Sequence, residues 1–209
     1  MIKRRKGKFV KRPGLTGPVF LIMCLLWPLL FSCSQANIRP EIYQRQPSQK
    51  IIEKVPFEKQ GAYQCGPAAL AGVLDYWGAH AKTGRIARGM VSKSAGGVLG
   101  IDLVVYAQKH GFKAKEYTGS IEDLRSKIDA GFPVIVKVDY GFWVYERNHF
   151  LTVVGYYNGD NGKPGGLIVH DGYTPFARVP EKKFMEQWKK TGYWALLITP
   201  KKIQVTGNQ

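Results

Sequence analysis

Tyr63-Gln64-Cys65-Gly66-Pro67-Ala68-Ala69-Leu70 sets a thiol between an extended stretch and an apolar run. Beyond it, Leu70, Val73, Leu74 and Trp77 recur at intervals of three, one and three, which marks one face of a helix. Proline is tolerated in the first turn of a helix and breaks a later one, so Pro67 puts the helix start close to Cys65. Gly78 supplies the stop. The stretch therefore predicts a helix that opens on a cysteine. A thiol in that position lies near the positive end of the helix dipole and near unpaired backbone amides, and both favour the thiolate.

The status of Cys65 depends on the other two cysteines, Cys24 and Cys33. The first 35 residues have a basic opening, an apolar run from Val19 to Phe31 and then a small-residue site, the layout of an export signal. The run is shorter than the ~20 apolar residues that a spanning helix needs. Leu30-Phe31-Ser32-Cys33 resembles the bacterial lipoprotein signal, in which the cysteine is acylated and becomes the new N-terminus. That resemblance implies removal of residues 1–32, a lipid on Cys33 and attachment to a membrane through the acyl chains. Ser34, standing where an aspartate would favour retention at the inner membrane, implies an outer-membrane lipoprotein in the bacterial cell envelope, facing the periplasm. Cys24 is then lost and Cys33 is acylated, so Cys65 is the only thiol of the mature domain. An intramolecular disulfide and a CxxC metal or redox site are excluded.

Charge gives little on its own. The formal net charge is +16, but seven of the 31 basic residues precede the apolar run, and the rest of the chain sets 24 against 15 acidic residues. Such an excess suits a solvated surface, and no nucleic-acid partner is expected. Residues 33–54, polar and holding two prolines, read as a lipidated N-terminus and tether. Residues 55–200 read as one domain and 201–209 as a tail. Within the domain, helices are expected at about 100–110, at 120–131 with Ser120 as N-cap, and at about 181–190. Residues 132–140, 149–157, 166–173 and 193–199 are rich in β-branched and aromatic residues and read as strands, with a glycine-rich turn at 158–166. Helices first and an antiparallel sheet after them predict an α+β domain.

In this layout Cys65 opens a helix, His149 opens a strand and Asp171 ends the next one. Thiol, imidazole and an orienting acid are the parts that nucleophilic acyl transfer requires. The pieces Gln64-Cys65-Gly66-Pro67-Ala68-Ala69-Leu70 and Asn148-His149-Phe150-Leu151-Thr152-Val153-Val154-Gly155, in that order, resemble papain-like cysteine peptidases of the bacteriocin-processing, double-glycine-leader group and its exported members. The resemblance covers about 55–200. It implies a papain-like peptidase fold with N-terminal helices on an antiparallel sheet. It also implies a Cys65–His149–Asp171 triad, and Gln60 as the side-chain donor of the oxyanion hole beside the Cys65 amide. Gln64, adjacent to the nucleophile, is the weaker match for that donor. The chain departs from the family in carrying Gly172 after the aspartate, where proline is frequent, and in its export signal.

The expected activity is thiol-dependent hydrolysis of peptide bonds in an envelope peptide or protein, by a monomer that needs no cofactor and no metal. Two other readings share parts of the pattern. A peptidoglycan amidase or transglutaminase-like acyl transferase has the same Cys-then-His order, and a catalytically degenerate domain would bind peptides at the envelope without cleaving them. The aromatic group Trp143, Tyr145, Trp188 and Trp194 is expected to form core and cleft wall. His80 and His110 are expected to solvate helix ends.

Overall fold

The structure, a computed structural model, describes residues 49–201 apart from 91–97, 144, 161 and 163. The expected signal segment, the acylation site Cys33, the first part of the tether and nearly all of the tail lie outside the described residues. The chain order is β1 (Gln49–Ile51), α1 (Cys65–Tyr76), α2 (Thr83–Met90), α3 (Gly100–Lys109), β2 (Phe112–Thr118), α4 (Ile121–Asp129), β3 (Val134–Asp139), β4 (Asn148–Tyr157), β5 (Gly166–His170), β6 (Ala177–Pro180), α5 (Glu181–Lys189) and β7 (Trp194–Pro200). The seven strands form one sheet in the order β2-β7-β3-β4-β5-β6, with β1 added to β4, and every pairing is antiparallel. The expected α+β class and antiparallel sheet are what the chain adopts.

Side-chain alternation splits the sheet between two cores. Val134 and Val136 join Leu124, Ile128, Phe184 and Trp188 beneath α4 and α5. Ile135, one residue out of phase, joins Leu70, Val73, Leu74, Ile86 and Leu103 beneath the first three helices. Burial on both faces explains why β3 reads Val-Ile-Val-Lys-Val-Asp, nearly continuous in apolar residues, instead of alternating. Three further elements are short or lie at the sheet edge. β2, at the sheet edge, exposes Lys113 and Lys115 on one face and Glu116 on the other. α2 buries only Thr83, Ile86 and Ala87. β6 is four residues long and ends on a proline.

β1 alters the domain boundary. Gln49–Ile51, in the segment read as tether, pairs with Tyr157, Tyr156 and Gly155 of β4. Its side chains are mostly exposed, so the strand is held by main-chain hydrogen bonds, which leave no hydrophobic signature. The expected Ser120 cap is present: its hydroxyl accepts the Asp123 N–H at 3.1 Å. The aromatic group divides. Trp188 is fully buried and donates its indole N–H to the Trp194 carbonyl at 2.9 Å, whereas Trp143 and Tyr145 face solvent.

Leu70 is fully buried at the centre of the contact between α1 and the sheet. Leu70→Ala is expected to destabilise the domain by about 2–5 kcal/mol, measured as a drop in the urea unfolding midpoint at constant slope.

Candidate active site

Cys65 is the first residue of α1 and is half-buried. The helix beneath it is firmly seated. Leu70 and Leu74 lie in the core, the Trp77 indole donates to the Ile198 carbonyl at 3.0 Å, and Gly72 lets the Pro56 carbonyl come so near that an added Cβ would stand 2.7 Å from its oxygen. No side chain caps the start of α1. Gln64 is turned the other way and accepts the Gly61 N–H through Oε1 at 3.3 Å. The first amides of the helix are thus left for whatever enters beside the thiol.

His149 stands opposite Val138 in the β3–β4 register and is 7% exposed. Its Nε2 lies 2.7 Å from the main-chain carbonyl of Asp171. A carbonyl only accepts, so Nε2 carries the proton, and in the neutral ring Nδ1 holds the free lone pair. Burial holds the imidazole below its ordinary pKa, while its hydrogen bond to Asp171 and the charge of that residue act in the opposite direction. The triad expectation pairs the Asp171 carboxylate with this ring, but the contact is made by the carbonyl. The carboxylate instead accepts two N–H groups of its own turn through Oδ1, Tyr173 at 2.8 Å and Thr174 at 2.6 Å. Aspartate readily folds back on the amides that follow it, and here that habit fixes the turn after β5.

Gln60 joins the same turn. Its N–H donates to the Gly172 carbonyl at 3.0 Å. Gly172 has φ +82, and a Cβ there would lie 2.5 Å from Gln60 Oε1. Both facts explain the glycine after Asp171: the backbone is left-handed and the glutamine side chain occupies the space. Gln60 Oε1 is buried without a partner. Gln60, Cys65, His149 and Tyr173 all line one cleft of about 600 Å³.

The far wall of that cleft is the loop between β3 and β4. Asp139 gathers its base, accepting the N–H groups of Gly141 at 2.6 Å and Arg147 at 2.7 Å. Burial raises the pKa of Asp139, but those two bonds together with the Lys190 charge outweigh it and hold the carboxyl below its usual range. Lys190 donates to the Gly141 carbonyl at 2.6 Å. At the tip, Phe142, Trp143 and Tyr145 are 85%, 89% and 78% exposed. The loop is thus braced at its base and turns three aromatic rings to water at its tip.

Of the remaining polar candidates, Asn148 lines the cleft, and His80, His110 and His170 lie outside its lining. His170 is buried, hydrogen-bonds to the Pro56 carbonyl and packs edge-on against Phe57 and Phe176. It lines a small cavity behind Cys65, and burial pulls its pKa down. His80 lies 3.9 Å from Asp75, and His110 caps α3 and stacks on Tyr106. Asn148 donates to Glu146 at 3.2 Å. Among the described residues, no three His, Cys, Asp or Glu side chains gather as a metal ion would require. Sequence reasoning missed Tyr140 and Tyr173, whose rings lie along His149. A tyrosine beside a strand end carries no signal of its own until the turn is folded.

Residues 52–196 match the model of the Peptidase_C39-like family. The chain belongs to that family. Among the solved structures that share its fold are three peptidases or peptidase domains. A Bacillus anthracis protein described as a C39-like peptidase superposes with a TM-score of 0.60 at 22% identity, over 74% of this chain and 98% of that one. The peptidase domain of Streptococcus ComA, a bifunctional ABC transporter of a quorum-sensing pathway, gives 0.54 at 23% identity, over 73% and 98%. A double-glycine-motif protease from an AMS/PCAT transporter, solved with its leader peptide, gives 0.53 at 24% identity, over 73% and 98%. No curated protein matches the sequence. Membership of the Peptidase_C39-like family fits the cysteine-headed helix beside the antiparallel sheet.

Two outcomes follow from this geometry. Asp171→Asn keeps an oxygen for the Tyr173 and Thr174 amides and leaves the carbonyl in place. It is expected to preserve most of any hydrolytic activity, whereas Asp171→Ala unfastens the turn and lowers kcat by about 10²-fold. Steady-state kinetics of the two variants checks this. The second outcome concerns pH. His149 and His170 both titrate below the ordinary 6.5 in the folded chain. The unfolded chain binds those protons first, so folding stability falls as pH drops below about 6.5. Urea midpoints between pH ~7 and ~5 should show a smaller decline for His170→Asn than for the parent chain.

Proposed function

We propose that this chain is an exported, lipid-anchored cysteine peptidase that hydrolyses peptide bonds in the bacterial envelope. The observation that carries the reading is the hydrogen bond from His149 Nε2 to the Asp171 carbonyl. It leaves Nδ1 as the basic nitrogen in the cleft that also holds Cys65.

In this reading the Cys65 thiol gives its proton to His149 Nδ1, and the thiolate adds to the scissile carbonyl carbon. The oxyanion that forms is met by the Cys65 amide and the Gln60 side-chain amide, donors each worth about 2.7–4 kcal/mol in a transition state. Collapse expels the amine, which takes the proton from His149, and leaves an acyl-thioester on Cys65. Water, deprotonated by Nδ1, attacks the thioester. Its collapse releases the acid and returns the thiol. Throughout, Asp171 orients the ring through its main chain and fixes the turn through its carboxylate.

The cleft volume and aromatic rim support a peptide or protein substrate, as does the leader peptide held by the AMS/PCAT protease of the same fold. The export signal and Cys33 support placement at the outer membrane, facing the periplasm, with the lipid as anchor.

Cleavage profiling of a peptide library by mass spectrometry tests the proposal. The wild-type chain is expected to cut and Cys65→Ala to be inactive. Alkylation of Cys65 by iodoacetamide should slow in His149→Ala. Equal cleavage by Cys65→Ala, or alkylation indifferent to His149, would overturn the mechanism. Release of a diacylglyceryl-modified N-terminal peptide, absent in Cys33→Ala, tests the anchor separately.

A further inference from the structure

We propose that the tip of the β3–β4 loop is a membrane-docking element, whose three aromatic rings enter the interfacial layer of the bilayer that holds the lipid anchor. The inference rests on the anchored reading of the chain and adds the surface on which the domain meets the membrane.

Phe142, Trp143 and Tyr145 stand within four residues and are the most exposed large apolar side chains among the described residues. None of them lines the cleft, whose aromatic wall includes Tyr63, Tyr140 and Tyr173. A substrate held in the cleft therefore does not account for them. Core packing does not either, since they belong to neither hydrophobic cluster.

The turn holds the rings outward. The Tyr145 N–H donates to the Phe142 carbonyl at 3.1 Å, and the two residues pair as an isolated antiparallel bridge. Trp143, between them, has φ +55, a left-handed backbone that glycine, asparagine or aspartate adopts with less strain. The backbone gives no reason for a bulky indole in that place, so the reason lies in what the ring meets. Below the turn, the amides of Gly141 and Arg147 are fastened to Asp139. The rings thus reach a partner with their backbone already ordered.

The chemistry selects a lipid surface. Tryptophan and tyrosine join an apolar ring to a polar handle, the combination that settles between acyl chains and headgroups, and phenylalanine adds a purely apolar ring. Cations flank the tip: Arg147 is exposed at one side of the loop, and Lys190 reaches the Gly141 carbonyl at the other. Glu146 opposes them locally. Over the chain beyond the apolar run, 24 basic residues stand against 15 acidic ones, an excess that suits anionic headgroups.

The tether permits the contact. β1 begins beside Tyr157, at the end of β4 away from the loop. The length of β4 is about 30 Å, and residues 33–48 at full extension reach about 50 Å. An anchor on Cys33 therefore lets the loop tip touch the same membrane. Glu146 and Arg147 of this loop line the cleft, so docking would bring the mouth of the cleft to peptides presented at the membrane surface.

The test is tryptophan fluorescence of the full chain reconstituted in vesicles of phosphatidylcholine and phosphatidylglycerol, with and without brominated phosphatidylcholine. Brominated lipid is expected to quench part of the wild-type emission, and Trp143→Phe to remove that part. Phe142→Ser combined with Tyr145→Ser is expected to weaken the quenching of Trp143. Phosphatidylcholine alone should give less quenching than the anionic mixture, with the difference lost in high salt. All three rings are exposed, so these variants should keep the fold. A chain that floats with the vesicles while brominated lipid leaves its emission unchanged, or quenches Trp143→Phe equally, overturns docking and leaves the anchor standing. Emission that responds instead to a cleaved peptide, or to the protein-to-lipid ratio, assigns the tip to substrate or to a second copy and overturns docking as well. Quenching through Trp143 in a chain whose Cys33 carries no lipid supports docking and refutes the anchor.

Discussion

The hydrogen bond between His149 and the Asp171 carbonyl joins the start of one strand to the end of its neighbour, and the site is organised around it. Antiparallel pairing of β3, β4 and β5 brings those two strand ends to the same side of the sheet. A side-chain acid would have to be held in one rotamer to orient the ring. A main-chain carbonyl at a strand end is already fixed by the ladder behind it, so the cost of ordering it is shared with the fold.

The turn after β5 then does several things with few atoms. The Asp171 carboxylate closes it on two amides, Gly172 permits its left-handed backbone, and the Gly172 carbonyl receives the Gln60 N–H. The segment before α1 and the turn beside β5 are therefore tied together at the cleft. Cys65 enters from a third direction, on a helix whose buried face belongs to the other core. Thiol, imidazole and glutamine are thus carried by separate elements. The helix and the strand are anchored by the cores, and the glutamine by its N–H bond to Gly172.

Most of this was legible because the signals are local. Cys65 before Gly66-Pro67 announces a helix start, and the four apolar strands were identifiable to within a few residues because β-branched runs between turn residues have few other uses. The rest was hidden for identifiable reasons. β1 and β6 are edge strands of three and four residues, too short for a period to stand out from the chain around them. The part of Asp171 that meets the imidazole could not be read from its side-chain chemistry, because every residue has a carbonyl and only folding decides which one points at the ring. Tyr140 and Tyr173 gain meaning only from their distance to His149. Trp143 and Tyr145 look like core residues in the sequence, and only the geometry of a tightly braced loop turns them outward.

The Asp139 brace separates two jobs that loops often confuse. The base of the β3–β4 loop is fastened to the scaffold by main-chain amides, a carboxylate and a lysine, while Phe142, Trp143 and Tyr145 at its tip are almost free of the core. Residues in that position can be exchanged with little effect on folding energy, because they give the folded state almost no buried area. The tip of the β3–β4 loop is therefore an interchangeable part. Its chemistry can diverge from one descendant of this chain to another, or be rewritten by design, while the thiol and the imidazole keep their places beneath it.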